Sequence, residues 1–128
     1  MIARGAFEVT LTPLDPHEST IARMAIDKQF HGNLEATSKG EMLASRSDVK
    51  GSAGYVAIER VTGSLNGRTG GFVLQHTGLM TRGEPQLTVV VIPDSGTGEL
   101  VGLSGQMTIE IADGNHSYVF DYTLAESS

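Results

Sequence analysis

The chain contains no cysteine and no tryptophan, and its nine lysines and arginines are outnumbered by fifteen aspartates and glutamates. Without cysteine, disulfide bonds, thiolate metal ligands and cysteine nucleophiles are all excluded. The formal net charge is −6, and the basic residues are spread along the chain rather than clustered. A surface of this charge repels nucleic acid and anionic lipid. We therefore expect no nucleic-acid partner.

Long apolar segments are also missing. No run approaches the ~18 apolar residues that a membrane helix needs, so no membrane partner is expected. The first residues, Met1 to Glu8, lack the basic start and apolar core of a signal peptide, which predicts a cytoplasmic location. The 128 residues fit a single domain spanning residues 1–128, and this length can bury a core without metal or disulfide bonds.

What the chain does have is sixteen glycines and apolar residues that alternate with polar ones. A period of two is typical of half-buried strands, and regularly spaced glycines are typical of the tight turns that join them. Phe7, Val9 and Leu11 share one face of a first strand, which Pro13 ends because proline cannot donate to a ladder. A near-continuous apolar run at residues 87–92 predicts a strand covered on both faces.

Residues 16–32 fit two structures. Asp15-Pro16 and Glu18 are typical of a helix start, with Gly32 as its end. A strand over residues 20–30 would instead place Met24, Ile26 and Phe30 on one face. The residues alone leave both structures open, although a turn at Gly32-Asn33 into residues 34–44 slightly favours a hairpin.

Two dipeptides predict tight hairpins and therefore the pairing of their strands. Asn66-Gly67 and Asp113-Gly114 both suit two-residue type I′ turns. Counting back from the first turn pairs Val61 with Phe72, Glu59 with Leu74 and Ala57 with His76. Counting back from the second turn pairs Ile111 with His116, Ile109 with Tyr118 and Met107 with Phe120. Polar side chains therefore lie on the apolar faces of both hairpins, namely Tyr55, Glu59, His76, His116, Tyr118 and Tyr122.

The segments amount to about seven or eight short strands joined in sequence, a pattern that predicts an all-β sandwich or barrel. Sequential hairpins favour a meander. A closed eight-stranded antiparallel meander barrel would hide every strand edge and could enclose one small ligand.

Four segments, Gly54–Arg60, Gly67–His76, Pro93–Leu100 and His116–Tyr118, resemble an uncharacterised bacterial domain-of-unknown-function family, and the resemblance extends from Phe7 to Leu124. It implies the allene oxide cyclase barrel-like fold, an eight-stranded meander barrel, and so favours a strand over residues 20–30. The family has no established activity. The plant cyclase with this fold binds an unsaturated fatty-acid epoxide in its barrel, but its catalytic residues have no match here, so its activity is not carried over.

Glu59, His76, His116, Tyr55, Tyr118 and Tyr122 are the candidate ligand-binding residues. A carboxylate or imidazole on a core face needs a partner, because an unpaired buried charge is costly. In a filled barrel these residues would partner one another, whereas in a hollow one they would orient a ligand or move a proton. Taken singly, each is more often a structural core residue. No local spacing supports a metal site at Glu59, His76 and His116, so neither metal nor cofactor is expected.

Three functions follow. The first is a small-molecule-binding barrel with an apolar cavity, lined by Phe7, Leu74, Ile109, Tyr118 and Phe120. Another is an isomerase or cyclase with Glu59 as base, which requires Glu59 to reach an open cavity. The last is a structural protein with a packed barrel. Exposed β-branched residues on the outer face (Val56, Ile58, Val73 and Val119) also predict a homo-oligomer. Binding of a small apolar ligand ranks first.

Overall fold

The computed structural model describes residues 1–14 and 21–124, and all regular secondary structure within them is β-strand. The predicted all-β class is therefore confirmed. The strands are β1 (Ile2–Pro13), β2 (Ala22–Phe30), β3 (Leu34–Arg46), β4 (Ala53–Leu65), β5 (Arg68–Thr81), β6 (Glu84–Val91), β7 (Thr97–Gly98), β8 (Leu103–Ala112) and β9 (Asn115–Leu124). The helix start considered at Asp15-Pro16 and Glu18 lies outside the described residues.

Eight of these strands form a closed antiparallel barrel, as predicted. Strands β1 to β6 pair in chain order, β8 and β9 follow, and β9 returns to β1. The ladder between β6 and β8 is short, and its paired residues are Val90 and Gln106. β7, a two-residue strand in the β6–β8 connection, pairs with Gly70 and Gly71 of β5 beyond the end of β6. Closure in this way leaves few free strand edges.

The two predicted hairpin turns are present with the predicted pairing. Asn66 and Gly67 have φ angles of 47° and 87°, and Asp113 and Gly114 have φ angles of 52° and 78°. Positive φ at both central residues is the signature of a type I′ turn. Glu59 faces Leu74, Ala57 faces His76 and Ile109 faces Tyr118. A third turn of this kind, at Arg82-Gly83, was not identified from the sequence.

Residues 22–30 form a strand, which confirms the hairpin interpretation of that segment. β2 lies between β1 and β3, so both of its edges are satisfied by long ladders. Its interior face carries Ile26, Lys28 and Phe30, all buried, so a lysine occupies a core position. The prediction that residues 87–92 are covered on both faces was wrong, because on the outer face Thr88 is exposed and Val90 is only partly buried.

The barrel interior is divided into a filled half and a hollow half. At the end that carries the Asn66-Gly67 turn, aromatic rings fill the space: the Phe120 ring lies 5.7 Å from that of Phe72 and 5.2 Å from that of Tyr122. The opposite end, with the Arg82-Gly83 and Asp113-Gly114 turns, is hollow. Within the described ranges, no helix has the length and apolar character to cross a membrane.

Candidate functional site

The hollow half forms a cavity of about 540 Å³ that is lined mainly by apolar side chains. Its walls include Phe7, Val9, Ile26, Met42, Tyr55 and Ile109. The rim is mainly apolar, because Leu79, Leu87 and Ile111 line it with exposed fractions of 54%, 43% and 68%, although the exposed Arg46 lines it as well. An apolar concavity with a few polar groups is the usual form of a small-molecule site.

The deep end of the cavity carries a buried polar cluster formed by Lys28, Glu59 and His76. Lys28 Nζ lies 2.9 Å from Glu59 Oε2 and donates a hydrogen bond of 3.2 Å to Oε1. His76 Nε2 lies 3.5 Å from the same Oε1. The Lys28 ammonium also sits over the rings of Phe7 and Phe30, 5.1 and 5.7 Å from their centroids. The aromatic faces add a cation–π attraction that helps to hold the charge in the interior.

The protonation of Glu59 follows from these neighbours. Burial acts to raise the pKa of its carboxyl, but the neighbouring His76 imidazole and the charge of Lys28 together hold that pKa below its ordinary value. Glu59 is therefore a carboxylate at neutral pH and the counterion of Lys28. Burial raises the pKa of the nearby Tyr55 phenol, and the negative charge of Glu59 adds to that increase.

Two glycines on the interior face make room for these side chains. Gly40 lies opposite Glu59, and a Cβ at residue 40 would clash first with the Ile58 carbonyl oxygen and would come within 2.6 Å of the Glu59 Cα. Gly78 lies opposite Tyr55, whose ring crosses directly over the Gly78 backbone. Any larger residue would displace the strand backbone beside residue 40 and the Tyr55 ring beside residue 78. The sequence thus positions Glu59 and Tyr55 through small partners on the adjacent strands.

Three of the six candidate residues, Tyr55, His76 and His116, line the cavity. Glu59 lies behind them: its side chain is fully buried, and it does not line the cavity. Lys28 was missed from the sequence, although strict alternation from Ile26 to Phe30 places it on the interior face. That alternation was the signal that could have found it.

Tyr118 and Tyr122 lie in the filled half, away from the cavity. The Tyr118 hydroxyl accepts a 3.0 Å hydrogen bond from the Leu34 amide and donates one of 2.8 Å to the His31 carbonyl. The Tyr122 hydroxyl accepts a 2.7 Å bond from the Asn66 side chain. Both tyrosines thus hold turns in place, through hydrogen bonds, at the filled end of the barrel. Of the residues expected to line a cavity, Phe7 and Ile109 do so, whereas Leu74 and Phe120 join Tyr118 in the packed core.

The charged lining of the cavity is entirely basic. Lys28, Arg46, His76 and His116 line it, and no aspartate or glutamate among the described residues does. Nowhere in residues 1–14 and 21–124 do three histidine, aspartate or glutamate side chains come together as metal ligands would. The site therefore offers hydrogen-bond donors and positive charge at the edge of an apolar space.

Fold and site together define a small up-and-down β-barrel with one packed half and one open, apolar half. The chain belongs to the family described as protein of unknown function (DUF3224), whose model matches residues 3–122. It is similar to a protein with unknown function from that family in Shewanella oneidensis MR-1, whose crystal structure superposes with a TM-score of 0.96 at 49% identity, covering 99% of this chain and 98% of that one. None of the curated proteins compared with it matches.

These comparisons confirm the family resemblance that was inferred from the four segments between Gly54 and Tyr118. The eight-stranded barrel also fits the fold that the resemblance implied.

Proposed function

We propose that the protein binds one small apolar molecule in the open half of its barrel. The observation that carries this proposal is the cavity of about 540 Å³ with its apolar walls. This volume lies within the range of roughly 300–1,000 Å³ that is typical of small-molecule sites. The apolar walls of an open cavity of this size face water, and an apolar occupant would remove that surface from water, which is favourable.

The cluster at the deep end supports a specific orientation of the ligand. Lys28 and His76 reach the cavity, while the carboxylate of Glu59 holds them from behind. Donors in fixed positions at one end of an apolar space orient a ligand that has one polar group. His116, whose ring lies 5.2 Å from that of Phe7, adds a second imidazole to the wall.

Catalysis with Glu59 as a general base is not supported. That hypothesis required the carboxylate to reach the open cavity, but the Glu59 side chain has no exposed surface and is paired with Lys28. A general base must come within hydrogen-bond distance of the proton that it removes. Isomerase or cyclase activity through Glu59 is therefore set aside.

Self-association is a second function that one observation favours. Val56 and Ile58 are 52% and 53% exposed on the outer face, beside Leu43 at 47%. The Arg23–Glu41 ion pair, with an N–O distance of 2.7 Å, borders this patch. An apolar patch bordered by both charges is complementary to itself, so we propose a second copy of the chain as its partner. Val73 and Val119 are only partly exposed and contribute less.

The binding proposal is tested with the neutral fluorescent probe N-phenyl-1-naphthylamine, whose emission rises in apolar surroundings. We expect the protein to bind it and Ala44→Trp to weaken binding, because Ala44 lines the cavity and the indole would occupy part of it. Ala112→Trp is the matched control, since Ala112 is exposed and lies outside the cavity lining. Native mass spectrometry and a lipid-extract thermal-shift screen then search for natural ligands. No response of the wild-type protein to the probe or to extract would refute the proposal.

A further inference from the structure

We infer that the natural ligand is an apolar monocarboxylate, bound with its carboxylate at the deep end of the cavity and its apolar part toward the mouth. This inference rests on the proposed binding function and specifies the chemical class of the ligand. It is carried by the charges that line the cavity, by the direction of the Lys28–Glu59 pair, and by the apolar rim.

The first step is the contrast between the chain and its cavity. The chain has a net charge of −6, yet the charged and ionisable basic residues of the cavity are Lys28, Arg46, His76 and His116. Acidic side chains are absent from the lining among the described residues. A lining of one sign in a chain of the opposite sign selects the ligand by charge complementarity. The selected head group is therefore an anion.

The second step is the direction of the ion pair. Lys28 lines the cavity, whereas Glu59 is fully buried and does not line it. A ligand in the cavity thus meets the positive end of the pair, although the pair itself has no net charge. An ammonium group has three donors, and Lys28 donates one hydrogen bond, of 3.2 Å, to Glu59 Oε1, while Oε2 lies 2.9 Å away without hydrogen-bond geometry. At least one donor of Lys28 therefore remains for a ligand oxygen.

The third step is the gradient of polarity from floor to mouth. Lys28 is 7% exposed and lies next to the packed core, whereas the rim residues Leu79, Leu87 and Ile111 are apolar and exposed. A carboxylate at the floor satisfies the free donor of Lys28, and the apolar part covers the exposed rim. The reverse orientation would bury apolar atoms against Lys28 and leave that donor unpaired, which is costly.

The experiment is displacement of N-phenyl-1-naphthylamine at pH 7 by decanoate, 1-decanol and decylamine, which share one chain and differ in the head group. We expect decanoate to act at a concentration about tenfold or more lower than decanol, because a hydrogen bond to a charged group is worth that factor. Decylamine should be the weakest. If the protein binds the probe but decanol and decanoate displace it with equal potency, the carboxylate inference alone is overturned. Failure of the probe and of all three compounds to bind would overturn the proposed function as well.

Two variants locate the head group. The double variant Lys28→Met/Glu59→Gln removes both charges, and we expect the preference for decanoate to fall to about threefold or less. Arg46→Gln removes the basic residue at the rim and should reduce the preference less than the double variant does, whereas Lys39→Gln, at an exposed residue outside the cavity lining, is the matched control and should keep it. Loss of the preference in R46Q but not in the double variant would place the carboxylate at the mouth and overturn the orientation. A crystal structure with decanoate provides a test without any variant: the expected distance from a carboxylate oxygen to Lys28 Nζ is about 2.7–2.9 Å, and any other position of the head group would overturn it.

Discussion

Replacing Glu59 by glutamine removes the carboxylate that neutralises Lys28 in the barrel interior. The two side chains are 0% and 7% exposed, so water screens their interaction very little. Breaking a buried pair by removing one partner costs about 3–5 kcal/mol, because the remaining charge is left without compensation. We expect E59Q to lower the free energy of unfolding by about this amount. That is a large part of the roughly 5–15 kcal/mol that stabilises a typical domain.

The assay is urea unfolding followed by far-ultraviolet circular dichroism at pH 7. Lys28→Met should show a loss similar to that of E59Q, since it leaves the carboxylate unpaired. The double variant K28M/E59Q should lose less than the sum of the single variants, with a coupling of about 1–3 kcal/mol. Glu41→Gln is the matched control, because Glu41 pairs with Arg23 at the surface, where the side chains are 55% and 40% exposed. Strictly additive single variants, or an E59Q loss no larger than that of E41Q, would refute the reasoning.

The effect of pH has a definite sign. The folded-state pKa of Glu59 lies below its ordinary value of 4.5, since His76 and Lys28 more than offset the burial that acts to raise it. A carboxyl whose pKa is lowered by folding contributes stability that is present above its unfolded pKa and is lost as the pH falls through its folded pKa. The difference in stability between the wild type and E59Q should therefore be full at pH 6 to 7 and should shrink as the pH falls below 4.5. A difference that stays constant down to pH 3 would show that the carboxylate is not the group responsible.

Three further outcomes are expected. Gly40→Ala should lower the free energy of unfolding by about 1–3 kcal/mol through overpacking against the β4 backbone at Ile58 and Glu59, again measured in urea; an unchanged value would mean that the strands shift freely at this point. Tyr118→Phe should cost about 1–3 kcal/mol, because the buried Leu34 amide loses its acceptor, and it should speed hydrogen exchange at that amide; normal exchange there would contradict this role. Light scattering at micromolar concentration should give a mass above one chain for the wild type and of one chain for Ile58→Asp, whereas a monomeric wild type would exclude the proposed self-association.

The sequence by itself determined the strands that have strong local signals. An asparagine or aspartate followed by glycine tolerates positive φ at both central positions, so the turns at residues 66–67 and 113–114 follow from local chemistry. Once a two-residue turn is placed, the register of its strands is set, and the alternation of side chains then assigns each residue to a face. For this reason the interior positions of Glu59 and His76 could be predicted without a structure.

Tertiary structure decided what local signals leave open. Residues 22–30 are a strand because β1 and β3 supply ladders on both of its edges, which outweighs the helix-like pattern of the segment. Alternation assigns a side chain to the interior but not to a depth along the barrel axis. Tyr118 and Tyr122 therefore belong to the packed half, while Tyr55 and His116 face the cavity, although the sequence predicted one interior for all four. That division, and the pairing of Lys28 on β2 with Glu59 on β4 across the intervening β3, depend on the curvature that barrel closure gives the sheet.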